Sequence, residues 1–537
     1  MIKSIVIKDG SKSQIIDDFD AITTKFVLKN SNVIVSNSTQ IEINFLDEIV
    51  AFRNHDFTWV QSDDLTIATD FSPKIIKLKN GCYLQPNINI GIWQVSKNNP
   101  YQLVWHFYPE YSNPITEYSG INNIKKISSA HSKINLSEDL ALLFSKTGGL
   151  ELSRSKIPFA AIACFTDHCD YDTPENLKIQ RTFFKNLDLK VTKGFFLNHF
   201  SKRNDNASWQ NDKEELRLWQ NDGHELCYHS LSQSIKSDDE SFSDFRNFTP
   251  PLDVIPVWID HGFQPYNFSL YKNNNFSDQD FENILNRNKI KVLWNYIDCG
   301  TASNGILNQL NPKQFTLQTY LNSIQAASFK TKIIKLVKAI IFHFDNDKNR
   351  IRNYIDALSA ARKLVNSKNP IYLMRFTKSI LPVVGVLLKT FLRWDFNKNK
   401  SFKAAKFSPL FFDHQINATT FTVFQTIEMV DFINGLSKNN IDLLVREQGV
   451  FIAHTYFSVD MKHHHGKLFK ESNRLDEQVV QNFTYLSEKI NKAQIWNPTL
   501  SELLLFYTDY KSVVFDITDE GAIFIKNTTT IPTRAVL

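Results

Sequence analysis

Two rhythms of apolar and polar residues divide this chain. Over the first 150 residues, short alternating or aromatic runs such as IEINFLDEIVAF, NINIGIWQV and YQLVWHFYPE are broken by Asn, Ser, Pro and Asp. Alternation with period two buries one face of a strand and wets the other, so the region reads as an antiparallel sheet domain. From about residue 151 the order becomes strand, polar cluster, helix, strand. IPFAAIACF is long enough for a buried strand, and Thr173-Pro174-Glu175 then offers a helix cap, a proline at the first helical position and an acid in the first turn. KVTKGFFLN, GHELCYHS, VIPVWIDHG, IKVLWNYIDCG and GVFIAHTYF have the same form, an apolar run ending in a polar or charged group. Strands alternating with helices imply a parallel sheet, open or closed as a barrel.

A basic block interrupts this series. Between Phe329 and Lys406 there are 18 Lys or Arg against 4 Asp, a net of +14 in a chain whose total is +5, so the remainder stands at −9. KTKIIKLVKAIIFHF and NRIRNYIDALSAARKLV read as amphipathic helices with a basic polar face. SILPVVGVLLKTFL is the most apolar stretch, but Pro382, Gly385 and Lys389 interrupt it. A span needs about 20 apolar residues, so no transmembrane helix is expected. The predicted fold class is α/β: an N-terminal β-rich domain (1–150) and a distorted (β/α) barrel-like domain in two parts (151–309 and 407–510). A basic helical insertion (310–406) separates the parts, and a C-terminal hairpin (511–537) turns at Glu520-Gly521.

Composition narrows the function classes. Aromatic content of 13% and 42% hydrophobic residues describe a folded chain. The five cysteines lack paired spacing, which fits buried thiols in a reducing compartment better than a disulfide framework. The opening MIKSIVIKDGSKSQ lacks an apolar h-region, so a cytoplasmic protein is expected. The basic block fits an anionic membrane surface on the inner face of the cell membrane. It is interleaved with aliphatic residues rather than exposed aromatics, which argues against nucleic acid as partner.

In parallel α/β folds, functional groups collect at the carboxyl ends of the strands. Asp167, Asp170, His229, Asp260, His261, Asp298 and His454 all fall at or just past such an end. Each has an ordinary role open to it. Asp170 and Asp172 could cap the helix near Pro174, His229 could be a hydrogen-bonded core residue, and Asp260-His261 could form a turn before Gly262. His463 to His465 read as a solvated loop. Their joint occurrence at successive strand ends points to a site.

The segment GHELCYHSLSQS, Gly223 to Ser234, resembles the metal-binding segment of the polysaccharide deacetylase superfamily of carbohydrate esterases. In that family it reads Gly-His-Glu, a few strand residues, His-Ser/Thr and a second histidine four positions after the first. FTDHCD sits where the family has Thr-Phe-Asp-Asp-Gly, KVTKGFFL resembles the strand after the first helix, and GVFIAHTYF resembles the last strand with its catalytic histidine. The resemblance covers roughly Pro158 to Gly300 and Asn440 to Tyr507. It implies hydrolysis of an N- or O-acetyl group on a sugar or polysaccharide intermediate, with a divalent metal: zinc, or else cobalt, nickel or manganese. On this resemblance Asp170, His229 and Gln233 hold the metal, Asp167 is the base and His454 the acid. Asp260, His261, Trp294 and Asp298 border the acetylated carbohydrate. Two departures leave alternatives open. Gln233 stands where the family has histidine, and Asp167-His168-Cys169-Asp170 lacks adjacent aspartates, so the two aspartates could exchange roles or His168 could be a ligand. The other function expected is a catalytically silent, deacetylase-like protein that binds glycans or assists polysaccharide assembly.

Overall fold

In the strand Gln40–Phe45, half-buried and buried residues alternate, so that Ile41, Ile43 and Phe45 point into one core. The computed structural model describes the whole chain except residues 1, 11, 17–23, 29–32, 35–38, 62–65, 121–122, 132–133, 137, 202–204, 234, 263, 459–466 and 472. His463 to His465 thus lie outside the described residues. Two six-stranded antiparallel sheets enclose the N-terminal core, where Trp93, Leu103 and Trp105 of one meet Phe52, Leu84 and Leu142 of the other. From this region a hairpin of β1 (Pro114–Ser119) and β2 (Ile124–Ser129) reaches the second domain. There Asn295 Nδ2 donates to the Thr116 carbonyl (3.2 Å) and Lys125 Nζ to the Tyr296 carbonyl (3.2 Å).

The seam between the two domains is polar and buried. Lys74 Nζ donates to the Thr69 carbonyl (2.7 Å) and to Asn89 Oδ1 (2.8 Å), and Asn89 Nδ2 donates to the Tyr510 hydroxyl (2.8 Å). Burial pushes the Lys74 ammonium down to about 7. The folded value lies below the ordinary 10.5, so the unfolded chain binds more protons between about pH 7 and 10.5, and stability rises with pH across that window. Thermal melts should therefore show wild type gaining on Lys74→Met between pH 7 and 10, by at most about 1.4 kcal/mol per pH unit. At the C-terminus the predicted hairpin forms from Phe515–Ile517 and Ile523–Ile525, with Gly521 at a left-handed φ of 87°. The final strand Thr533–Val536 pairs with Gly149–Leu152, so this segment is fastened back onto the first domain.

The second domain is a curled, mostly parallel sheet with helices outside it. Its strands are β3 (Ala161–Asp167), β4 (Thr192–Phe195), β5 (Glu225–Tyr228), β6 (Val257–Ile259), β7 (Val292–Trp294), β8 (Asp298–Thr301), β9 (Phe411–Ile416), β10 (Thr419–Phe424), β11 (Thr426–Met429) and β12 (Val450–Thr455). Their order is β8-β11-β12-β3-β4-β5-β6-β7-β10-β9, an eleventh short strand, Ile495–Trp496, pairs with β3 off this path, and only β9 with β10 is antiparallel. The run IKVLWNYIDCG thus makes two strands, broken at Asn295–Ile297, where Tyr296 has a φ of 64°. Because β7 pairs with β10 while β8 pairs with β11, the curl returns to β12 and β3 through two interrupted strands. Helix α1 (Pro174–Asn186) starts as expected: the Thr173 hydroxyl accepts from the Asn176 amide (3.1 Å).

Strand parity sorts the residues of β3. Ala163 and Phe165 pack among the outer helices with Phe184 and Phe483. Ile162 and Cys164 point inward, to Cys227, Ile259, Trp294 and Ile452. All five cysteines are buried and free.

The basic insertion is helical. It comprises α2 (Phe329–Ala339), a π-helical turn (Ile340–Asp345), α3 (Lys348–Ser367) and α4 (Ile371–Leu392). Helix α4 runs unbroken for 22 residues through Pro382 and Gly385. Pro382 is exposed, while its neighbours Ile380, Val383 and Leu387 pack on α3, and that burial offsets the lost backbone hydrogen bond. By length and composition α4 is apolar enough to cross a membrane, and only 6% of its most apolar window is buried.

Candidate metal centre

The parity of β3 decides which residues of FTDHCD face the mouth of the curled sheet. Asp167 follows Phe165 to the outer side. There its carboxylate pairs with Lys193 and accepts from the Thr455 hydroxyl (3.0 Å) and the Phe457 amide (3.1 Å). Lys193 also donates to Asp172 (2.6 Å) and Gln180 (3.0 Å), all of them buried. Burial opposes the Lys193 charge, but the two carboxylates outweigh it and raise its pKa. Asp167 is thus engaged by Lys193, Thr455 and Phe457 on the outer side, contacts that lend no support to the base role expected of it. Asp172 likewise serves this network, and Thr173 caps the helix.

His168 has the opposite parity and enters the mouth. The donor atoms of His168, Asp170 and His229 lie within 4.8 Å of one another, and all three residues are buried. The imidazole of His168 stands 4.3 Å from that of His229 and 4.2 Å from that of His454, centroid to centroid. Asp170 Oδ2 meets His229 Nε2 at 3.0 Å, and Oδ1 meets His261 Nε2 at 3.3 Å. Burial alone would raise the Asp170 carboxyl, but His261 and His229 hold it well below the usual carboxylate range. Burial lowers the His229 imidazole to about 4 and His168 well below its ordinary value, so both rings are neutral at pH 7, the form that ligates metal. Gly194 lets β4 come close: a Cβ there would lie 2.5 Å from the Asp167 carbonyl oxygen and 3.4 Å from His229 Cβ.

Gln233 is drawn into the same cluster in a different role from the one expected. Its Nε2 donates to Asp170 Oδ1 (2.7 Å) and its Oε1 accepts from the Ser201 hydroxyl, so the amide oxygen that would ligate a metal is engaged. His168, and not Gln233, supplies the second imidazole beside His229.

A second pair borders the triad. His454 Nδ1 lies 3.2 Å from both carboxylate oxygens of Asp298, and Asp298 Oδ1 accepts from the Thr426 hydroxyl (2.7 Å). Burial works against the His454 charge, yet Asp298 raises its pKa above the ordinary value. Trp294 donates to the same Thr426 hydroxyl (2.9 Å) and sets its ring 5.1 Å from His168 and 4.7 Å from His454. Asp260 does not face this space. Its carboxylate accepts from the Phe268 and Ser269 amides (3.0 Å each) and the Ser269 hydroxyl (2.8 Å), clamping the loop after β6, contacts that lend no support to the substrate-side place expected of it.

Other groups here were not singled out from the sequence. Lys193 is the one charged residue inside the buried strand TKGF, and that oddity was the available signal. Glu428, the register partner of His454, accepts from the Thr301 hydroxyl (3.0 Å), and burial, then Asp298, raises its pKa. Lys125 arrives from the N-terminal hairpin, 171 residues from its partner Tyr296, so no local pattern could show it. Burial lowers its pKa against the pull of Asp298.

Two imidazoles and one carboxylate form a donor set suited to zinc and similar divalent ions. His168 Nδ1 and His454 Nε2 are buried with no hydrogen-bond partner among the described residues. A buried polar atom left unpaired costs about 1–3 kcal/mol, a cost that a ligand bound at these nitrogens would relieve. The residues present therefore fit a metal ion.

No protein-family model and no curated protein matches this chain. Among solved structures, a xylosidase from Aspergillus niger shares 9% identity over 55% of this chain, at a TM-score of 0.21. The matched region spans 41% of that xylosidase's chain, and a likeness at this TM-score carries no argument about fold or activity.

Proposed function

We propose that this protein is a metal-dependent hydrolase that removes an acetyl group from a sugar or polysaccharide intermediate, built on a divergent deacetylase-type barrel. The observation that carries the reading is the buried His168, Asp170 and His229 triad set directly against the His454–Asp298 pair. His168, Asp170 and His229 would hold the ion, with zinc the first choice and cobalt, nickel or manganese also suited to these donors. Such an ion, when bound, polarises an acyl carbonyl and acidifies water. The chain's own residues supply the rest. Asp298 fixes the tautomer of His454 and leaves Nε2 free to take a proton from water and return it to the leaving amine or alkoxide. Half-buried Tyr296 and Tyr456 beside this pair offer aromatic faces of the kind sugars stack on.

A second reading, a glycan-binding relative without metal, is favoured by one observation. Both Asp170 oxygens are already engaged, Oδ1 by Gln233 and Oδ2 by His229. Metal analysis of the purified protein after incubation with zinc separates the two. One equivalent retained after dialysis, together with acetate release from an acetylated oligosaccharide, is the expected result, and no retained metal of any of the four kinds supports the binder. Gln233→His should tighten metal binding by replacing an engaged amide with a third imidazole, and unchanged affinity would show that position 233 does not reach the ion.

A further inference from the structure

Much of the apolar surface of the helical insertion has no partner among the described residues. Of 26 large hydrophobic residues that are exposed among the described residues, 15 lie between Phe329 and Phe396, which singles out this segment as an unsatisfied surface. On α4 they form a stripe at helical spacing, Met374, Leu381, Val384, Leu388 and Phe391, on the side away from the residues that pack on α3. Beside the stripe is a cleft of about 630 Å³ to which Arg350, Lys389, Lys400 and Lys403 contribute, with Asp345 as its one acid. Arg350 is paired with Asp345, and the three lysines are exposed. Lys400 also lies 3.4 Å from the Phe396 ring centroid.

The geometry points to peripheral docking of α4 on an anionic phospholipid bilayer, the stripe entering the acyl boundary and the lysine cleft receiving a headgroup phosphate. An apolar stripe flanked by lysines is complementary in both polarity and charge to such a surface. A spanning arrangement does not suit the hairpin. α4 is packed along α3, and α3 carries Arg352, Asp356, Arg362 and Lys363, which would be drawn into the hydrocarbon with it. The docking surface also adjoins the candidate site. The π-helical turn contributes Asp345 to the cleft, and its His343 Nε2 lies 3.3 Å from the Thr301 hydroxyl, which donates to Glu428. A lipid-anchored substrate would thus arrive at the mouth of the site, a corollary that rests on the hydrolase reading, whereas the docking itself does not.

The test is sedimentation of the full-length protein with vesicles of equal parts phosphatidylglycerol and phosphatidylcholine, with pure phosphatidylcholine as the comparison. The expected result is binding to the anionic vesicles at low salt, weakened ~10-fold or more at about 0.5 M salt and on pure phosphatidylcholine. Leu381→Asp with Leu388→Asp should abolish it without unfolding the protein, since these side chains are 63% and 58% exposed. Lys389→Glu with Lys403→Glu should weaken it ~10-fold or more on anionic vesicles alone. No sedimentation at low salt overturns the proposal, as does binding that survives the two aspartates. Retention that high salt cannot reverse overturns the peripheral geometry. A vesicle-free dimer in the ultracentrifuge, dissolved by the same two aspartates and without vesicle binding, assigns the surface to a second copy of the chain instead.

Discussion

Lys193→Ala is expected to destabilise the protein by about 3–5 kcal/mol, because it leaves the carboxylates of Asp167 and Asp172 facing each other in a dry site. All three side chains are at most 1% exposed, so water cannot take the place of the ammonium. For a domain of this size the loss corresponds to a fall in Tm of roughly 6–20 °C. Asp167→Asn should act in the same direction, since it removes one of the two charges that hold the buried Lys193. The measurement that gives this pair its meaning is activity per folded molecule. With Asp167 bound to Lys193, its amide variant should melt earlier and still turn over substrate at a rate near wild type when assayed well below its Tm. A base at that position would behave in the opposite way, with Tm kept and the rate lowered by ~10² to 10⁴.

On the proposed hydrolase reading, His454→Ala is expected to reduce acetyl release by ~10² to 10⁴ while leaving bound metal unchanged, because it would remove the proton carrier and no donor of the triad. His168→Ala and His229→Ala should instead lose the metal, and the activity with it. Asp298→Asn is expected to fall on the His454 side of this division, since its carboxylate contacts His454 Nδ1 and not the triad. Metal content and acetate release measured on the same preparations sort the four variants. If His454→Ala also lost the ion, the acid-base assignment would fail and His454 would count among the ligands.

Much of the architecture was legible from apolar periodicity. Period-two runs in the first 150 residues became two antiparallel sheets, and the apolar runs that ended in polar groups became parallel strands with those groups at or just past their carboxyl ends, except IKVLWNYIDCG, which split into two strands with Asp298 opening the second. Local chemistry also set element ends, as at Thr173-Pro174-Glu175, because a cap needs only residues a turn apart. The neighbourhood of Asp170, His229 and His454 followed from the same rule that gathers strand ends on one face.

The tertiary structure alone decided the roles within that neighbourhood. One step along a strand moves a side chain to the opposite face, so the start and phase of β3 sent Asp167 to Lys193 and His168 to the mouth. A pattern of residue types does not carry that phase once the strand is apolar on both faces. Contacts across the chain were equally out of reach: Gln233 on Asp170, His454 on Asp298 and Lys125 beside Tyr296 join residues 63, 156 and 171 positions apart. The continuity of α4 through Pro382 was decided in the same way, by packing on α3, because a proline's cost is local while the burial that offsets it comes from another helix.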